Sequence, residues 1–442
     1  MAYAAQRQFI DFRFQIPDSK SGIGFFNLES EILGATVTSK PVLVLKFGGT
    51  SMADSEHIGQ VADIVLRKRS AGYRVVVVVS AQARQTDGFI DEARSFTPNP
   101  SPREMDMLLS SGERISAALL SIALNAKNCP ALALSGSQAG IITDDNHTNA
   151  RIIEIRPSRV HQALQQGSVP VVGGFQGVSF KKEVTTLGRG GSDVTAVALA
   201  SALEAETCEI YSDVNGVFTA DPRVVEKASR LEELSYQEMQ ELGEAGARVL
   251  HPGSVEFAKI KKTIIHAKCT MEPDGAGTLI RDLEGRIKPR IVGVAHEEKI
   301  ILLQVDAEDG KEVENLSRLA GFFENEGLKT KQMSFHPGPR NALCGSLVIP
   351  EKENYHLESV LGRLRGLAEP RVRILRDYSA VSLIGSGITD RHAFLLDSLA
   401  LLRNLEIAIA GLHTSSFRIT FLPHRSRMQD AVRAFHKHFI ES

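Results

Sequence analysis

Residues 42–51 of this chain read VLVLKFGGTS, and they indicate the fold before any other stretch does. The unbroken run of Val and Leu is typical of a buried parallel strand, and Gly48-Gly49 ends it in a turn. Apolar residues from Ile58 to Val65 then recur at the spacing of one helix face, and Asp54 or Ser55 can cap the start of that helix. The stretch therefore predicts a strand, a glycine turn and a helix in succession.

Strand and helix patterns alternate from there to about residue 290. Further β-branched apolar strands are predicted at 74–80, 131–134, 169–172 and 207–211. This rhythm predicts an α/β fold with an open, mostly parallel sheet and helices on both faces. Because ligands of such sheets bind at the carboxyl ends of the strands, functional residues are expected in the loops that follow them.

The pattern changes after Lys288-Pro289, where shorter units each read strand, helix, strand, strand. We predict two small α+β modules, at 291–377 and 378–442, behind a catalytic region at 41–290. Their predicted elements are 300–305, 313–326 and 342–349, then 380–384, 394–403, 407–410 and 417–421. Residues 1–40 mix aromatic residues with loop formers and are predicted to be a flexible extension.

Composition argues against several classes of function. The 442 residues carry a formal net charge of −2, so neither nucleic acid nor an anionic membrane is expected as a partner. The four cysteines are far apart in the sequence, as is usual for reduced thiols. Neither a membrane-spanning apolar run nor a signal pattern is apparent, so a cytoplasmic location is predicted.

The first candidate site is the turn at 46–51. Paired glycines let backbone N–H groups approach an anion, and the Lys46 ammonium can neutralise phosphate charge. The spacing differs from a Walker A loop because the lysine precedes the glycines, and the dinucleotide fingerprint G-x-G-x-x-G is missing here. The turn suits nucleotide phosphates, although a Gly-Gly pair also serves as a plain strand-to-helix connection.

A second glycine-rich turn, at 188–193, reads GRGGSD and opens an Ala-rich helix. Either Ser192 or Asp193 can cap this helix, whose N-terminus favours a carboxylate or phosphate. Arg189 can bind a carboxylate with two parallel N–H groups. The alternative is a glycine-rich turn with a solvated arginine.

Two more segments carry charge in predicted loops or at a helix start. Asp213 follows a strand at 207–211, where an acid can lie near nucleotide-bound Mg²⁺, and Arg223 further along can face phosphates. The Glu113 carboxylate can bind a substrate ammonium, and Ser80 and Thr86 lie in a polar loop after a buried strand. Ordinary Asx turns and helix-start acids explain the same residues without a ligand.

At these residues the chain resembles the aspartate kinases (aspartokinases) of the amino-acid kinase superfamily. Residues 46–51 are similar to the family's KFGGTS signature, and 80–87, 111–114, 188–193, 212–223 and 249–252 follow in the family's order. The resemblance covers about residues 42–280. It implies transfer of the ATP γ-phosphoryl group to the side-chain carboxylate of L-aspartate, giving 4-phospho-L-aspartate. This is the first step toward lysine, threonine and methionine.

The resemblance also implies roles for individual side chains. Lys46 and Asp213 would be catalytic, with Lys46 holding phosphate charge in the transition state. The residues that match aspartate-binding positions are Ser80, Thr86, Glu113, Arg189 and Ser192. Those that match ATP-binding positions are Lys46, Gly48, Gly49, Ser51, Ser212, Asp213, Phe218, Arg223 and Arg248. Magnesium is expected to arrive with ATP, so no metal ligand is assigned and no tightly bound cofactor is expected.

The chain departs from the family pattern at two of these positions. Arg248 stands where the family often has lysine, and Phe218 where it often has tyrosine. The tail resembles paired ACT domains, one commonly threaded through the other, although the Pro-Gly turn before each helix is absent. The resemblance implies lysine or threonine as an effector and a homodimer or higher oligomer. The alternatives are another amino-acid carboxylate kinase and a catalytically silent amino-acid sensor.

Overall fold

A computed structural model describes residues 40–188, 190–247, 249–283, 289–307, 311–337, 343–354, 357–366, 371–390 and 392–441. The predicted extension at 1–40 therefore lies, except for its last residue, outside the described residues, as do Arg189 and Arg248.

The described residues contain eighteen strands and eleven α-helices. The strands are β1 Val42–Phe47, β2 Arg74–Val79, β3 Ala131–Leu134, β4 Ile141–Thr143, β5 Ile152–Ile155, β6 Val169–Gly173, β7 Gln176–Ser179, β8 Val184–Thr186, β9 Thr207–Ser212, β10 Glu233–Ser235, β11 Ile265–Cys269, β12 Thr278–Arg281, β13 Arg290–Ala307, β14 Gln332–Pro337, β15 Leu343–Pro350, β16 Arg371–Ser386, β17 Ile409–Ser415 and β18 Arg418–Pro423. The helices are α1 Ser55–Ser70, α2 Gln85–Phe96, α3 Pro102–Ala126, α4 Ser158–Gln165, α5 Gly191–Ala202, α6 Tyr236–Glu244, α7 Pro252–Lys261, α8 Glu312–Asn325, α9 Leu357–Arg365, α10 Ala393–Asn404 and α11 Met428–Phe439.

The largest sheet has eight strands in the order β10-β12-β11-β9-β1-β2-β6-β3. All neighbouring pairs are parallel except β11 and β12, which are antiparallel. The five strands predicted between residues 42 and 211 are all in this sheet and agree with the observed bounds to within a residue. The prediction of an open, mostly parallel α/β sheet is confirmed.

Helices cover both faces of this sheet because the buried strand residues alternate between two cores. Leu43 and Leu45 of β1 pack with residues of α1 and α3 on one face. Val42 and Val44 pack with residues of α4 and α5 on the other face. The Asp54 side chain accepts a hydrogen bond from the His57 N–H and caps α1, as the sequence predicts.

A smaller sheet with the order β5-β4-β7-β8 lies beside the crevice. A hydrogen bond of 2.5 Å between the hydroxyls of Thr143 and Thr185 joins β4 to β8 on its buried side. Strand β8 leads into the second glycine-rich turn.

The tail forms one antiparallel sheet of six strands in the order β14-β15-β13-β16-β18-β17. Strands β13 and β16 pair along almost their whole length. The two ends of this strand pair belong to different cores. At one end, Leu303 packs with residues of α8 and α9. At the other, Val294 and Val381 pack with residues of α10 and α11. Residues 290–297 therefore pair with residues 380–386 of the second predicted module, although all but Arg290 belong to the first.

Several predicted element bounds in the tail are wrong. Strand β16 begins at Arg371 rather than at residue 380, β17 ends at Ser415 rather than at 410, and β14 was not predicted. The extra length of β16 alternates charged and apolar residues (RVRILRDY) and is only half buried, so it lacks the continuous apolar run that marks the parallel strands.

Helix α3 is long and apolar enough to cross a membrane by length and composition alone. Half of its most apolar window is buried in the fold, where the helix packs on the sheet through residues such as Ala117 and Leu120.

Candidate active site

The candidate site lies at the carboxyl edge of the parallel sheet. Strands β1, β2, β6 and β9 all end at this edge, and the loops that follow them contain most of the residues singled out in the sequence. Phe47 and Tyr211, at the ends of β1 and β9, stack with ring centroids 4.8 Å apart. Both rings are buried in the core that the sheet shares with α1 and α3.

Lys46 forms the central ion pair of this site. Its Nζ lies 2.6 Å from Oδ1 of Asp193, and both side chains are almost buried. Asp193 is in the first turn of α5, where a negative charge also interacts favourably with the helix dipole. The predicted capping role is wrong: the helix is capped by Gly190 with φ +71°, and no side chain caps it, since the Asp193 carboxylate is held by Lys46.

Close contacts fix the first glycine turn on two sides. Gly49 approaches the loop after β2 so closely that an added methyl group would lie 2.8 Å from the carbonyl oxygen of Ala81. The buried hydroxyl of Ser51 is 2.7 Å from that of Thr270, in the loop after β11. Gly48 faces the Lys46 ammonium, with 3.7 Å between Nζ and the position of an added methyl group. The turn therefore holds backbone N–H groups and the ammonium on one rigid support.

Glu113 presents a buried carboxylate to the crevice from the middle of helix α3, which begins at Pro102, so the prediction that it lies at a helix start is wrong. The side chain is buried, and its Oε1 accepts a hydrogen bond of 3.2 Å from the Ala81 N–H. Its Oε2 has no hydrogen-bond partner among the described residues. Burial raises the pKa of Glu113 to about 7, and the Ala81 hydrogen bond opposes this shift only in part. This carboxylate can accept an N–H from a bound cation.

Two glycines at the end of β6 bring Glu113 and Ser192 to the same place. A methyl group on Gly173 would lie 3.3 Å from the Glu113 Cβ, and one on Gly174 would lie 2.9 Å from the Ser192 Cβ. Two residues predicted to bind the same small ligand thus lie on either side of this glycine pair.

The other predicted acceptor-binding residues lie at the edge of the same crevice. The Ser80 N–H donates to the carbonyl of Phe47 at 3.1 Å, which ties the end of β2 to β1. Thr86 is half-buried in the first turn of α2, next to Gln85, whose Oε1 faces Gly112. Arg189 lies outside the described residues.

The predicted nucleotide segment follows β9 and joins the first glycine turn through Thr270. The Thr270 N–H donates to the Ser212 carbonyl at 2.9 Å, while its hydroxyl binds Ser51. The Ser212 hydroxyl accepts a hydrogen bond from the Val214 N–H at 3.2 Å. Asp213 is exposed just beyond it.

Two predicted nucleotide-binding residues further along have partners within the segment. Phe218 is half-buried and pairs through its backbone with Arg230. Arg223 is exposed and donates to both oxygens of Asp221, at 2.7 Å from Nη2 and 3.0 Å from Nε. These bonds lower the pKa of Asp221 and raise that of Arg223, to which the charge of Asp213 adds less. Arg248 lies outside the described residues.

Comparison with known proteins gives the family. Residues 41–266 match the amino acid kinase family. An aspartokinase of Geobacillus stearothermophilus is 38% identical over 399 residues, which are 90% of this chain and 97% of that protein. An aspartokinase of Corynebacterium glutamicum is 37% identical over 407 residues, 90% of this chain and 96% of that protein. The chain belongs to the aspartokinases.

Solved structures agree with this assignment to the aspartokinases. Aspartokinase III of E. coli in complex with aspartate and ADP (R-state) superposes with a TM-score of 0.74 at 25% identity, covering 90% of this chain and 99% of that one. The same enzyme in complex with lysine and aspartate (T-state) gives a TM-score of 0.72 over the same shares. The tail sheet is included in the matched length, which is consistent with its interpretation as ACT domains.

Three features of this aspartokinase site were missed in the sequence. The pairing of Asp193 with Lys46 leaves no local pattern because the two residues are far apart in the chain. Asp106, buried on α3, accepts a hydrogen bond from Thr148 in the loop before β5. The Gly173-Gly174 pair could have been found, since it follows a predicted strand in the same way as Gly48-Gly49.

The tail of the chain contacts the predicted nucleotide segment directly. The Thr219 hydroxyl lies 2.9 Å from Nε2 of His436, a fully buried residue of α11. The Thr219 carbonyl accepts a hydrogen bond of 2.7 Å from the Val294 N–H of β13. Among the described parts of the chain, no group of three or more His, Cys, Asp or Glu side chains is placed to hold a metal ion.

Proposed function

We propose that the crevice binds L-aspartate and Mg-ATP and transfers the γ-phosphoryl group to the β-carboxylate of aspartate, giving 4-phospho-L-aspartate and ADP. The observation that carries this proposal is the Lys46–Asp193 ion pair at 2.6 Å, placed between a glycine turn and the start of α5. An ammonium held at that point can stabilise charge on a transferring phosphoryl group.

The chemistry needs no general base on the protein. The β-carboxylate of aspartate is already ionised near neutral pH, so one of its oxygens can attack the γ-phosphorus directly. A new P–O bond forms as the bond to the β-phosphate oxygen breaks, and the electron pair leaves on ADP. No proton is transferred in this step. The work of the protein is then to position two anions and to neutralise the charge between them.

On this proposal the substrate amino acid is held by groups on both sides of Gly173-Gly174. The unpartnered Oε2 of Glu113 accepts an N–H from the aspartate ammonium. Ser192, with Arg189 in the same turn, binds a carboxylate. Ser80 and Thr86 complete the acceptor side. The support for this assignment is that Glu113 and Ser192 both adjoin the glycine pair at the end of β6.

The nucleotide is assigned to the loops that follow β1 and β9. Gly48, Gly49 and Ser51 offer backbone and hydroxyl groups beside Lys46, and Thr270 ties this turn to Ser212. Ser212, Asp213, Phe218, Arg223 and Arg248 form the rest of the proposed nucleotide side. Magnesium enters with ATP. Asp213, exposed just after β9, is the acid among the residues assigned to the nucleotide side.

The tail is proposed to be a regulatory ACT pair that binds an amino-acid effector, lysine or threonine, and forms a homodimer or higher homo-oligomer. The proposed modules are 291–377 and 378–442 behind a catalytic region at 41–290, with residues 1–40 as an extension and the whole enzyme in the cytoplasm. The support for interleaved modules is that residues 290–297, nearly all in the first module, pair with residues 380–386 of the second.

Formation of aspartyl hydroxamate from L-aspartate, Mg-ATP and hydroxylamine tests the activity, because hydroxylamine traps an acyl phosphate. We expect aspartate-dependent product, and inhibition when either lysine or threonine is added. Product with glutamate but not with aspartate would make the chain a different carboxylate kinase. Absence of product with every acid tested would favour the silent amino-acid sensor.

A further inference from the structure

Asp106 is a carboxylate with no exposed surface on helix α3, outside the set of residues assigned above. It accepts hydrogen bonds from the Thr148 N–H, at 3.0 and 3.1 Å, and from the Thr186 hydroxyl at 2.5 Å. The Nδ1 of His147 lies 2.6 Å from its Oδ2. Burying a carboxylate is costly unless it is fully hydrogen-bonded, so these groups belong together as a unit. We call Asp106, His147, Thr148 and Thr186 the Asp106 cluster.

The Asp106 cluster joins three parts of the chain that meet beside the acceptor side of the crevice. Thr148 has φ +65°, a left-handed conformation that a threonine rarely adopts, and its N–H points to Asp106. The next residue, Asn149, packs on the second glycine turn: a methyl group on Gly188 would lie 2.9 Å from its Oδ1. The cluster therefore fixes both the end of β8 and the loop that supports the turn after it.

Glu113 lies on the same face of α3 as Asp106, because residues seven apart are two helical turns apart. A helix rises about 1.5 Å per residue, which places the two carboxylates roughly 10 Å apart along one rigid rod. One of them contacts the Ala81 loop, and the other contacts the strand that ends just before Gly188 and the loop that packs on Gly188. Helix α3 thus sets the distance between the Ala81 loop and the strand and loop that Asp106 binds.

We propose that Asp106 is a positioning residue for the acceptor acid, fixing the glycine turn after β8 at a set distance from Glu113 so that both ends of the amino acid are bound together. This inference rests on the assignment of Glu113 and the turn to aspartate binding. Asp106 touches no substrate; it acts through Thr186 and Thr148. Loss of the cluster should weaken aspartate binding and leave the nucleotide side unchanged.

Thr186→Val tests the inference with a matched control, Thr185→Val. Both threonines are fully buried neighbours in β8, and each substitution removes one hydroxyl hydrogen bond of 2.5 Å. The partner of Thr186 is Asp106, whereas that of Thr185 is Thr143. In the hydroxamate assay we expect Thr186→Val to raise the KM for aspartate about tenfold, with kcat and the KM for Mg-ATP changed far less. Thr185→Val should leave all three constants near those of the wild type.

Thr186→Ser keeps the hydroxyl and should restore the aspartate KM. Asp106→Asn should raise this KM further than Thr186→Val does; if Asp106→Asn does not fold, the three threonine variants still decide the matter. Equal aspartate KM values in Thr186→Val and Thr185→Val would overturn the inference. Glu113→Gln, measured alongside, separates the two failures: an unchanged aspartate KM there overturns the site assignment, whereas an impaired Glu113→Gln beside a normal Thr186→Val overturns the role of Asp106 alone.

Discussion

The two sides of the crevice are supported by different parts of the molecule. On the proposed acceptor side, Glu113 and Asp106 extend from helix α3 and hold the Ala81 loop and the strand β8, all within residues 41–290, the proposed kinase region. On the nucleotide side, Thr219 is held from the tail, by His436 of α11 and by the backbone of Val294. The proposed acceptor side is thus held within the kinase region, whereas the proposed nucleotide side, which Thr270 ties to the first glycine turn, is supported by the tail as well.

Helix α6 is also held from the tail. Glu238 in its first turn accepts a hydrogen bond of 3.0 Å from the hydroxyl of Ser386 in β16. Glu241, one turn further along, accepts a hydrogen bond of 3.1 Å from the hydroxyl of Ser415. A movement of the tail sheet would therefore reach the nucleotide side by short, directly bonded routes. We expect changes in the tail to act mainly on nucleotide binding, and changes in α3 to act on the acceptor.

The largest effect is expected where the two sides meet, at Lys46. Replacing Lys46 with alanine removes the ammonium that we assign to the transferring phosphoryl group and leaves Asp193 without its counter-ion. We expect kcat in the hydroxamate assay to fall about a thousandfold, the upper end for one electrostatic group. Circular dichroism should show a folded protein.

Lys68→Ala is the matched control for Lys46→Ala. Lys68 also pairs with a buried carboxylate at 2.6 Å, that of Glu209, but it lies on α1 and outside the assigned site. It should lower stability and leave kcat within a few-fold of the wild type. A folded Lys46→Ala enzyme with undiminished turnover would remove Lys46 from the mechanism.

The next effect is a pH dependence on the acceptor side alone. Because burial raises the pKa of Glu113 to about 7, the free enzyme loses the ammonium-binding carboxylate as the pH falls below that value. The kcat/KM for aspartate should therefore drop about tenfold from pH 8 to pH 6, with little change in the KM for Mg-ATP. A profile that is flat between pH 6 and 8 would contradict this role of Glu113.

The pH dependence of stability tests the raised pKa of Glu113 independently of activity. Its pKa is about 7 in the folded chain against 4.5 for the unperturbed group, so the folded state keeps a proton that the unfolded state has released between these values. The free energy of unfolding then falls as the pH rises through this window, by about 3 kcal/mol in all. Glu113→Gln should therefore be more stable than the wild type at pH 8, by about 1 to 3 kcal/mol, and urea denaturation at two pH values measures it.

Much of the kinase region could be predicted because its strands are buried on both faces and read as continuous apolar runs. Lys46 ends such a run, and Glu113 and Ser192 could be chosen from the motifs they belong to; these two adjoin the same glycine pair at the end of β6. The role of Asp193 could not be predicted. Asp is common at helix starts, and only the folded sheet brings its carboxylate to Lys46.

The tail was less predictable for a physical reason. Strands β13 and β16 each contribute to two cores, so a repeat that is linear in the sequence does not correspond to two separate compact units. Asp106 left no pattern either. An acid near the start of a helix is ordinary, and its partners Thr148 and Thr186 come from a loop and a strand that are distant in the sequence.

The smallest expected effect tests the support of the nucleotide side by the tail. Thr219→Val keeps the shape of the side chain but removes the hydroxyl that lies 2.9 Å from His436 and accepts the Ser229 N–H at 3.0 Å. The segment between Ser212 and Arg223 then loses the side-chain hydrogen bond that joins it to α11. We expect the KM for Mg-ATP to rise about three- to tenfold, while the KM for aspartate stays near the wild-type value.

Ser382→Ala is the control for that variant, because the Ser382 hydroxyl bonds that of Thr420 at 2.8 Å and thus loses a buried hydrogen bond inside the tail alone. It should reduce stability to a similar extent without moving either KM. If Thr219→Val raised both KM values equally, the tail would act on the whole crevice and the two sides would not be independent. If instead only the KM for Mg-ATP rises, an effector bound in the tail has a bonded route to the nucleotide that bypasses the acceptor side held by α3.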